Sequence, residues 1–344
     1  GELMDELISV ILPVYNCEKY VADAIMSICT QTYQNWELII VDDCSTDNTR
    51  AIIEGISAKD MRIRVLSNQH NSGIVCSLNR GIAQARGTFY ARMDADDIAM
   101  PERLETQLRY MLDHPEVIIA SCWFEMFGDA SGVVRYPEQH EKICADFLFG
   151  NRFLHPGYFI RARAYKECGL FYDEHMKYVE DYDIAVRAST CGKLANVPRV
   201  LMKYRVHANQ TTKTHSARQA QLCKTVYSAL LNRLGIVFST QQERIYHKIC
   251  YSEDIDGCSA DEIKNAIVLY KFILEHNNER CVFDKHSLKK IVSRRAYLLL
   301  RSAHQKKIIR SSDYVSCIDM EFGAVTNGKL LLALARSLIT NSSK

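Results

Sequence analysis

The sequence predicts an α/β protein: an open, mostly parallel sheet with helices on both faces, followed by an all-helical C-terminal region. Three observations carry this. The first hundred of its 344 residues alternate short apolar runs with stretches of helical spacing, as repeated βα units do. The leading run, Leu7 to Leu12 (LISVIL), is continuously apolar, the pattern of a parallel strand covered on both faces. From Ser216 to the end the pattern is helical, without a clear strand.

After the Leu7–Leu12 strand, Val21, Ala24, Ile25 and Ile28 recur at helical spacing. Glu37 to Val41 (ELIIV) reads as the second strand, Asp47 to Ser57 as a short helix that Asp47 is suited to cap, and Arg62 to Leu66 as the third strand. Ile74, Leu78 and Ile82 mark one face of the next helix. Phe89 to Met93 is a fourth strand, and Met100-Pro101 opens a helix carrying Leu104, Leu108, Met111 and Leu112. From about Gly128 the regularity lapses at Pro137, Pro156, Gly157 and Gly169, a kind of stretch that commonly completes a cleft. The boundaries follow: 1–215, with halves of about 1–100 and 101–215, and a helical region 216–344.

Charged residues at 24% and hydrophobic residues at 47% are ordinary for a globular protein, and a net charge of +2 argues against a general nucleic-acid binder. No stretch of 18 apolar residues is present, so no membrane-spanning helix is expected. Gly1 to Leu7 lacks the basic and apolar regions of a secretory signal. The thirteen cysteines are odd in number and form no CxxC pair, which favours reduced thiols and a cytoplasmic address.

The richest chemistry lies at Asp94-Ala95-Asp96-Asp97, three carboxylates within four residues at the end of an apolar strand. Ligands of open α/β sheets bind outside the carboxyl ends of the strands. Carboxylates crowded there repel unless a cation joins them, and a hard divalent ion, Mg²⁺ or Mn²⁺, would do so with substrate phosphates as further ligands. An acidic surface turn is the alternative. The first βα loop, Pro13-Val14-Tyr15-Asn16-Cys17-Glu18, has no glycine, so it lacks the backbone cradle of a dinucleotide fingerprint or P-loop. The second strand ends in Asp42-Asp43, where a carboxylate can accept the N–H of a pyrimidine while an aromatic such as Tyr15 stacks on the base. A second acidic cluster, Glu180-Asp181-Tyr182-Asp183, suits a helix N-terminus and would also position a base at a cleft. His207 stands alone among polar residues in YRVHANQ and decides nothing by itself.

The run ISVILPVYN, the VDDCSTD turn, Asn71-Ser72-Gly73-Ile74, RMDADD and VEDYD together resemble a family 2 glycosyltransferase of the GT-A, Rossmann-like fold, over roughly residues 7–215. Within that family, DADDIAMP, ADFLFGN and YRVHANQ resemble bacterial lipooligosaccharide β-1,3-N-acetylglucosaminyltransferases, and similar DxDD segments occur in O-antigen glucosyl- and galactosyltransferases. The resemblance implies an inverting, metal-dependent transfer of a hexose, GlcNAc first and glucose or galactose as alternatives, from a UDP-sugar to a glycan or lipid-linked oligosaccharide. It makes 1–100 the nucleotide half and 101–215 the acceptor half. Pro13, Tyr15 and Asp43 would line the uracil pocket, with Glu18 and Asn71 near the nucleoside. Asp94 and Ala95 would face the ribose and metal, Asp96 would be the principal ligand of Mn²⁺ or Mg²⁺, and His207 would reach the metal or diphosphate. Arg80, Arg92 and Asp97 would touch the donor sugar or its phosphates. Asp181 would be the general base beside Glu180, and His155 would shape the acceptor side. A sugar-nucleotide pyrophosphorylase is disfavoured by the missing glycine-rich loop, and a non-catalytic carbohydrate-binding protein by the intact Asp96 and Asp181.

Residues 285–310 carry nine Lys/Arg and no acid, with Leu288, Val292, Leu299 and Ala303 in a helical stripe. Such a helix either lies peripherally on an anionic membrane, here the inner face of the plasma membrane, or packs its stripe inward and leaves a solvated basic face.

Overall fold

The computed structural model describes residues 6–207 and 216–310. The chain divides into two units, 1–147 with 151–226, and 148–150 with 227–344. The expected boundary at residue 215 lies at the edge of 208–215, outside the described residues; the division falls within the helix Ser216–Arg233.

The first unit is built on a nine-stranded sheet. In chain order its elements are β1 (Ile8–Val14), α1 (Val21–Cys29), β2 (Trp36–Asp42), α2 (Thr49–Ser57), β3 (Ile63–Ser67), α3 (Ile74–Ala83), β4 (Phe89–Arg92), β5 (Ile98–Ala99) and α4 (Arg103–Asp113). Then come β6 (Val117–Gly128), β7 (Gly132–Val134), α5 (His140–Asp146), β8 (Phe159–Arg161), α6 (Ala162–Glu167), α7 (Glu180–Ala188), β9 (Lys193–Val206) and the start of α8 (Ser216–Arg233). The strand order is β3-β2-β1-β4-β8-β6-β9-β5, with β7 beside β6.

The α/β class holds, and the first four strands lie as expected. β1, β2, β3 and β4 pair in parallel, and β1 and β2 are buried along their whole length between helices on both faces. Beyond β4 the sheet is mixed rather than mostly parallel. β8 runs antiparallel to both β4 and β6, β6 and β9 are parallel, and β5 is antiparallel to β9. These strands carry charged and half-exposed residues among apolar ones, and β9 contains Pro198 next to a register shift. Their sequences therefore lack the uninterrupted apolar run that betrayed β1.

This topology positions the site. β1 has β2 on one side and β4 on the other, so the strand order reverses there and the loops beyond the two strands splay apart into a crevice. Residues after β1, β2 and β4 all reach that edge. The antiparallel pairing of β9 with β5, Ile98 opposite Lys203, brings Arg205 and His207 beside Asp96 and Asp97.

The second unit contains the rest of α8, α9 (Thr240–Ile245), a π-helical turn Tyr246–Tyr251, α10 (Ala260–Arg280) and α11 (Lys285–Gln305). Capping boxes at Ser239/Gln242 and Ser259/Glu262 start α9 and α10, and Asp284 caps α11. Phe149 packs against Tyr246, Tyr270 and Arg295. Leu288, Val292, Leu299 and Ala303 are buried, so the expected stripe is part of this core and does not face a membrane. Lys289, Lys290, Arg294 and Arg301 remain on the outer face. No described helix is long and apolar enough to cross a membrane.

Candidate active site

The edge beyond β2 is organised by Asp43. Its carboxylate, 4% exposed, accepts from Asn68 Nδ2 at 2.7 Å, Ser72 N at 2.8 Å and Gly73 N at 2.7 Å. Two carboxylate oxygens offer about four acceptor positions, so roughly one is left for a ligand. Gly73 adopts φ +86°, a conformation that costs glycine little, and it turns its N–H toward Asp43. Arg80 is exposed, and its Nη1 donates to Ser67 O at 2.7 Å and to Asn68 Oδ1 at 2.5 Å, so it fixes the residue that fixes Asp43. Asn71 is exposed on the same loop.

The first loop is tied to the second. Pro13 is buried in β1, and Tyr15 is 47% exposed just beyond it. Glu18 accepts from Asn48 N at 3.0 Å, while Asp47 accepts from Glu18 N and from Thr49 N. The helix α2 starts at Thr49 with Asn48 at the capping position, so Asp47 lies one residue before the expected cap and joins the two loops instead.

Beyond β4, the carboxylates of Asp94, Asp96 and Asp97 lie within 4.8 Å of one another. At that separation and an effective dielectric near 20, each charged pair repels by at least about 3 kcal/mol. The protein answers in part with Arg92, which is buried and ion-paired through Nη1 to Asp94 Oδ2. Asp97 accepts from Arg205 N at 2.8 Å through Oδ1, but its buried Oδ2 has no partner among the described residues. Burial, then the charges of Asp94 and Asp96, push the Asp97 carboxyl well above its ordinary value. Burial also raises Asp94, against the pull of Arg92. His207 Nε2 lies 3.0 Å from Asp96 Oδ2, and its ring packs against Tyr20. Arg205 donates from Nε to Asp96 O and stacks between Tyr20 and Phe127. Ala95 is buried, and its carbonyl accepts from Cys17, whose thiol is pushed up to about 12 by burial and the nearby acids.

Burial places Arg92 and Asp97 beneath the surface, so neither presents itself to a donor sugar directly. Arg92 is held by buried Arg103, which donates to the Arg92 carbonyl at 2.7 Å and whose own value falls to about 10 through burial.

The second acidic cluster opens α7. Glu180 is buried and accepts from Tyr178 N at 2.7 Å; burial and the neighbouring Asp181 raise it to about 7. Asp181 accepts from Asn151 Nδ2 at 2.7 Å, and burial raises its carboxyl too. The positive charge of Arg92 favours the ionised forms of Asp94, Asp97, Glu180 and Asp181, so one buried cation serves both clusters. His155 is buried between Tyr158 and Tyr172, 3.0 Å from the Tyr172 hydroxyl, and burial and Arg92 hold it well below the usual imidazole value. It supports the site from behind as a neutral ring.

Glycosyl transferase family 2 matches residues 9–175 of this chain. An uncharacterized glycosyltransferase of Haemophilus influenzae is 35% identical over 260 residues, 70% of this chain and 80% of that protein. The chain belongs to glycosyl transferase family 2. Glycosyltransferase GlyG of Streptococcus pneumoniae is 43% identical over 145 residues, 42% of this chain and 48% of that protein. In structure, S. aureus TarS 1–349, crystallised in complex with UDP-GlcNAc, covers 90% of each chain with a TM-score of 0.59 at 19% identity. That likeness gives the GT-A fold. Within this family member, Asn68, Asn151, Tyr158, Arg103 and Arg205 complete the site beyond the residues its sequence singled out. Asn151 and Arg205 sit inside ADFLFGN and YRVHANQ, but nothing in either segment says which atoms they meet.

Proposed function

We propose that this glycosyltransferase moves a hexose, GlcNAc as the first choice, from a UDP-sugar to a growing glycan with inversion at the anomeric carbon. A lipooligosaccharide, O-antigen or capsular acceptor and a β-1,3 linkage are the finer reading; UDP-glucose or UDP-galactose is the alternative donor. The observation that carries it is the pair of acidic clusters: a triad at Asp94, Asp96 and Asp97, and a second pair in which half-buried Asp181 stands beside buried Glu180. The solved TarS structure with UDP-GlcNAc supports the choice of donor.

Pro13, Tyr15 and Asp43 would receive the uracil, the last acceptor position of Asp43 taking the base N–H, with Glu18 and Asn71 alongside. Arg80 would act through Asn68. The triad fits a hard divalent cation, because it offers oxygen ligands in excess of local positive charge and the buried Asp97 Oδ2 lacks a partner. Asp96, Asp94 and His207 would hold Mn²⁺ or Mg²⁺, which as a Lewis acid offsets charge developing on a leaving diphosphate. Asp181 would take the proton of the attacking hydroxyl as the new bond forms. A carboxylate serves for an alcohol when proton transfer is late, after the half-bonded oxygen has become acidic. Glu180, raised to about 7 by burial and the neighbouring Asp181, carries less negative charge beside the base than an ordinary carboxylate would.

Hydrolysis of UDP-GlcNAc, UDP-Gal, UDP-Glc and UDP-GalNAc, with Mn²⁺ and with EDTA, tests this reading. One donor is expected to be turned over, with loss in chelator and recovery on adding Mn²⁺; full activity in chelator removes the metal role from Asp96. The outer basic face of α11 would meet an anionic membrane surface through its charges alone. Sedimentation with anionic liposomes at low salt is expected to carry the protein down, and no binding dismisses that contact.

A further inference from the structure

Asp181 is held from more than one direction. Asn151 Nδ2 donates to Oδ2 at 2.7 Å, and the Tyr158 hydroxyl donates to the main-chain carbonyl of the same residue at 3.0 Å. The adjacent Tyr182 donates to Phe147 O, which ties the start of α7 to the segment leading toward Asn151. The Asp181 carboxylate also accepts from main-chain N–H groups at the start of α7, so Asn151 is its side-chain anchor from another segment.

The amide of Asn151 has only one sensible orientation. Flipping it would set Oδ1 against a carboxylate oxygen, two acceptors face to face. In the observed orientation Oδ1 is buried without a partner. A buried carbonyl left unbonded is costly, so the protein gives up that bond to keep the donor on Asp181. A carboxylate turns easily about its last bond unless something holds one oxygen. With Oδ2 held by Asn151 beside the main-chain N–H groups at the start of α7, the plane of the group is set and Oδ1 has a fixed aim.

We propose that Asn151 is a positioning residue for sugar transfer, holding Oδ2 of Asp181 so that Oδ1 faces the acceptor hydroxyl. The inference rests on Asp181 as the base. In the step it serves, the hydroxyl oxygen bonds to the anomeric carbon, the bond from that carbon to the diphosphate oxygen breaks with its electron pair leaving on the diphosphate, and the hydroxyl proton passes to Oδ1. Asn151 touches none of the reacting atoms.

The charged and titratable groups that face Asp181 are Glu180 on its own helix, Arg92 on β4, and Tyr136, Tyr158 and Tyr172. Burial raises the Asp181 carboxyl, while the main-chain N–H of Tyr182, then Asn151 and Arg92, pull it down. Loss of the amide donor therefore moves it further up.

The test compares Asn151→Ala and the near-isosteric Asn151→Asp with wild type and Asp181→Asn. It reads kcat and KM for UDP-sugar hydrolysis against pH, UDP affinity, and the ¹³C titration of the Asp181 carboxyl, assigned by its disappearance in Asp181→Asn. Both Asn151 variants are expected to lose roughly 10–100-fold in kcat, the scale for groups that orient a functional residue. KM and UDP affinity stay as in wild type, and the acid limb and the ¹³C midpoint both move to higher pH. The ¹³C titration needs no turnover, so it decides even without an active donor. An unmoved midpoint in either folded variant, or wild-type kcat in both, overturns the proposal. An active Asp181→Asn overturns the base assignment itself, whereas an inactive Asp181→Asn beside a fully active Asn151→Ala overturns only the role of Asn151.

Discussion

The acidic clusters at 94–97 and 180–181 use the same residue types in different company, each pairing half-buried carboxylates with a buried one. Asp94, Asp96 and Asp97 crowd within 4.8 Å, and the side chains of Asp94 and Asp96 keep about a quarter of their surface open to solvent. Glu180 and Asp181 open a helix, packed among tyrosines, and Asp181 has one amide donor. Crowding near solvent favours capture of a cation. Desolvation with a single side-chain donor favours exchange of a proton, because it lifts a carboxylate from its ordinary value of about 3.9 without fixing it as either acid or base. Arg92 lets the two coexist: it is the buried charge felt by both, and removing it would strand Asp94 at a cost of about 3–5 kcal/mol.

Exchanging amide for carboxylate in each cluster is the sharpest way to break this comparison. Asp181→Asn is expected to cut transfer by roughly 10²–10⁴-fold, the range for a lost general base. Asp96→Asn should cost about 10²–10³-fold, the scale of one lost contact to developing anionic charge. Steady-state hydrolysis of the active donor checks both, and equal losses with the same pH profile would merge the two clusters into one function.

The smallest expected effect concerns stability. Glu180 is raised to about 7 in the folded protein, above its unfolded value. The folded state therefore keeps a proton that the unfolded state gives up, so the contribution is complete below the unfolded value and is lost as pH rises through 7. Glu180→Gln mimics the protonated group and should stabilise the protein at pH 8 by up to roughly 3 kcal/mol relative to wild type, with little change at pH 4. Thermal melts at the two pH values check this; an equal shift at both would show that Glu180 carries its charge throughout.

Much of the first unit could be read without coordinates. β1 and β2 are covered on both faces, so their apolar runs are unbroken, and the acids that follow β2 and β4 had to meet at one edge of the sheet. β9 was hidden by Pro198, by lysines and arginines along its length, and by a pairing with β6 that is distant in sequence. Side-chain roles were the least legible. Arg92 looked like a ligand-facing cation because sequence does not reveal that a charge is buried, and nothing in the sequence shows that Arg80 Nη1 holds Ser67 and Asn68. Asn151 closes the segment ADFLFGN, yet its role could not be read there because its partner lies thirty residues away on another element. His155 suggested an acceptor surface, yet its two tyrosine neighbours enclose it.

The central claim is that one cluster holds the donor and the other moves the proton. Calorimetric titration of UDP in Mn²⁺ into Asp181→Asn and Asp96→Asn, side by side, tests it most directly. Wild-type affinity in Asp181→Asn and a large loss in Asp96→Asn is the expected result. Weakened binding in Asp181→Asn with full binding in Asp96→Asn would contradict it.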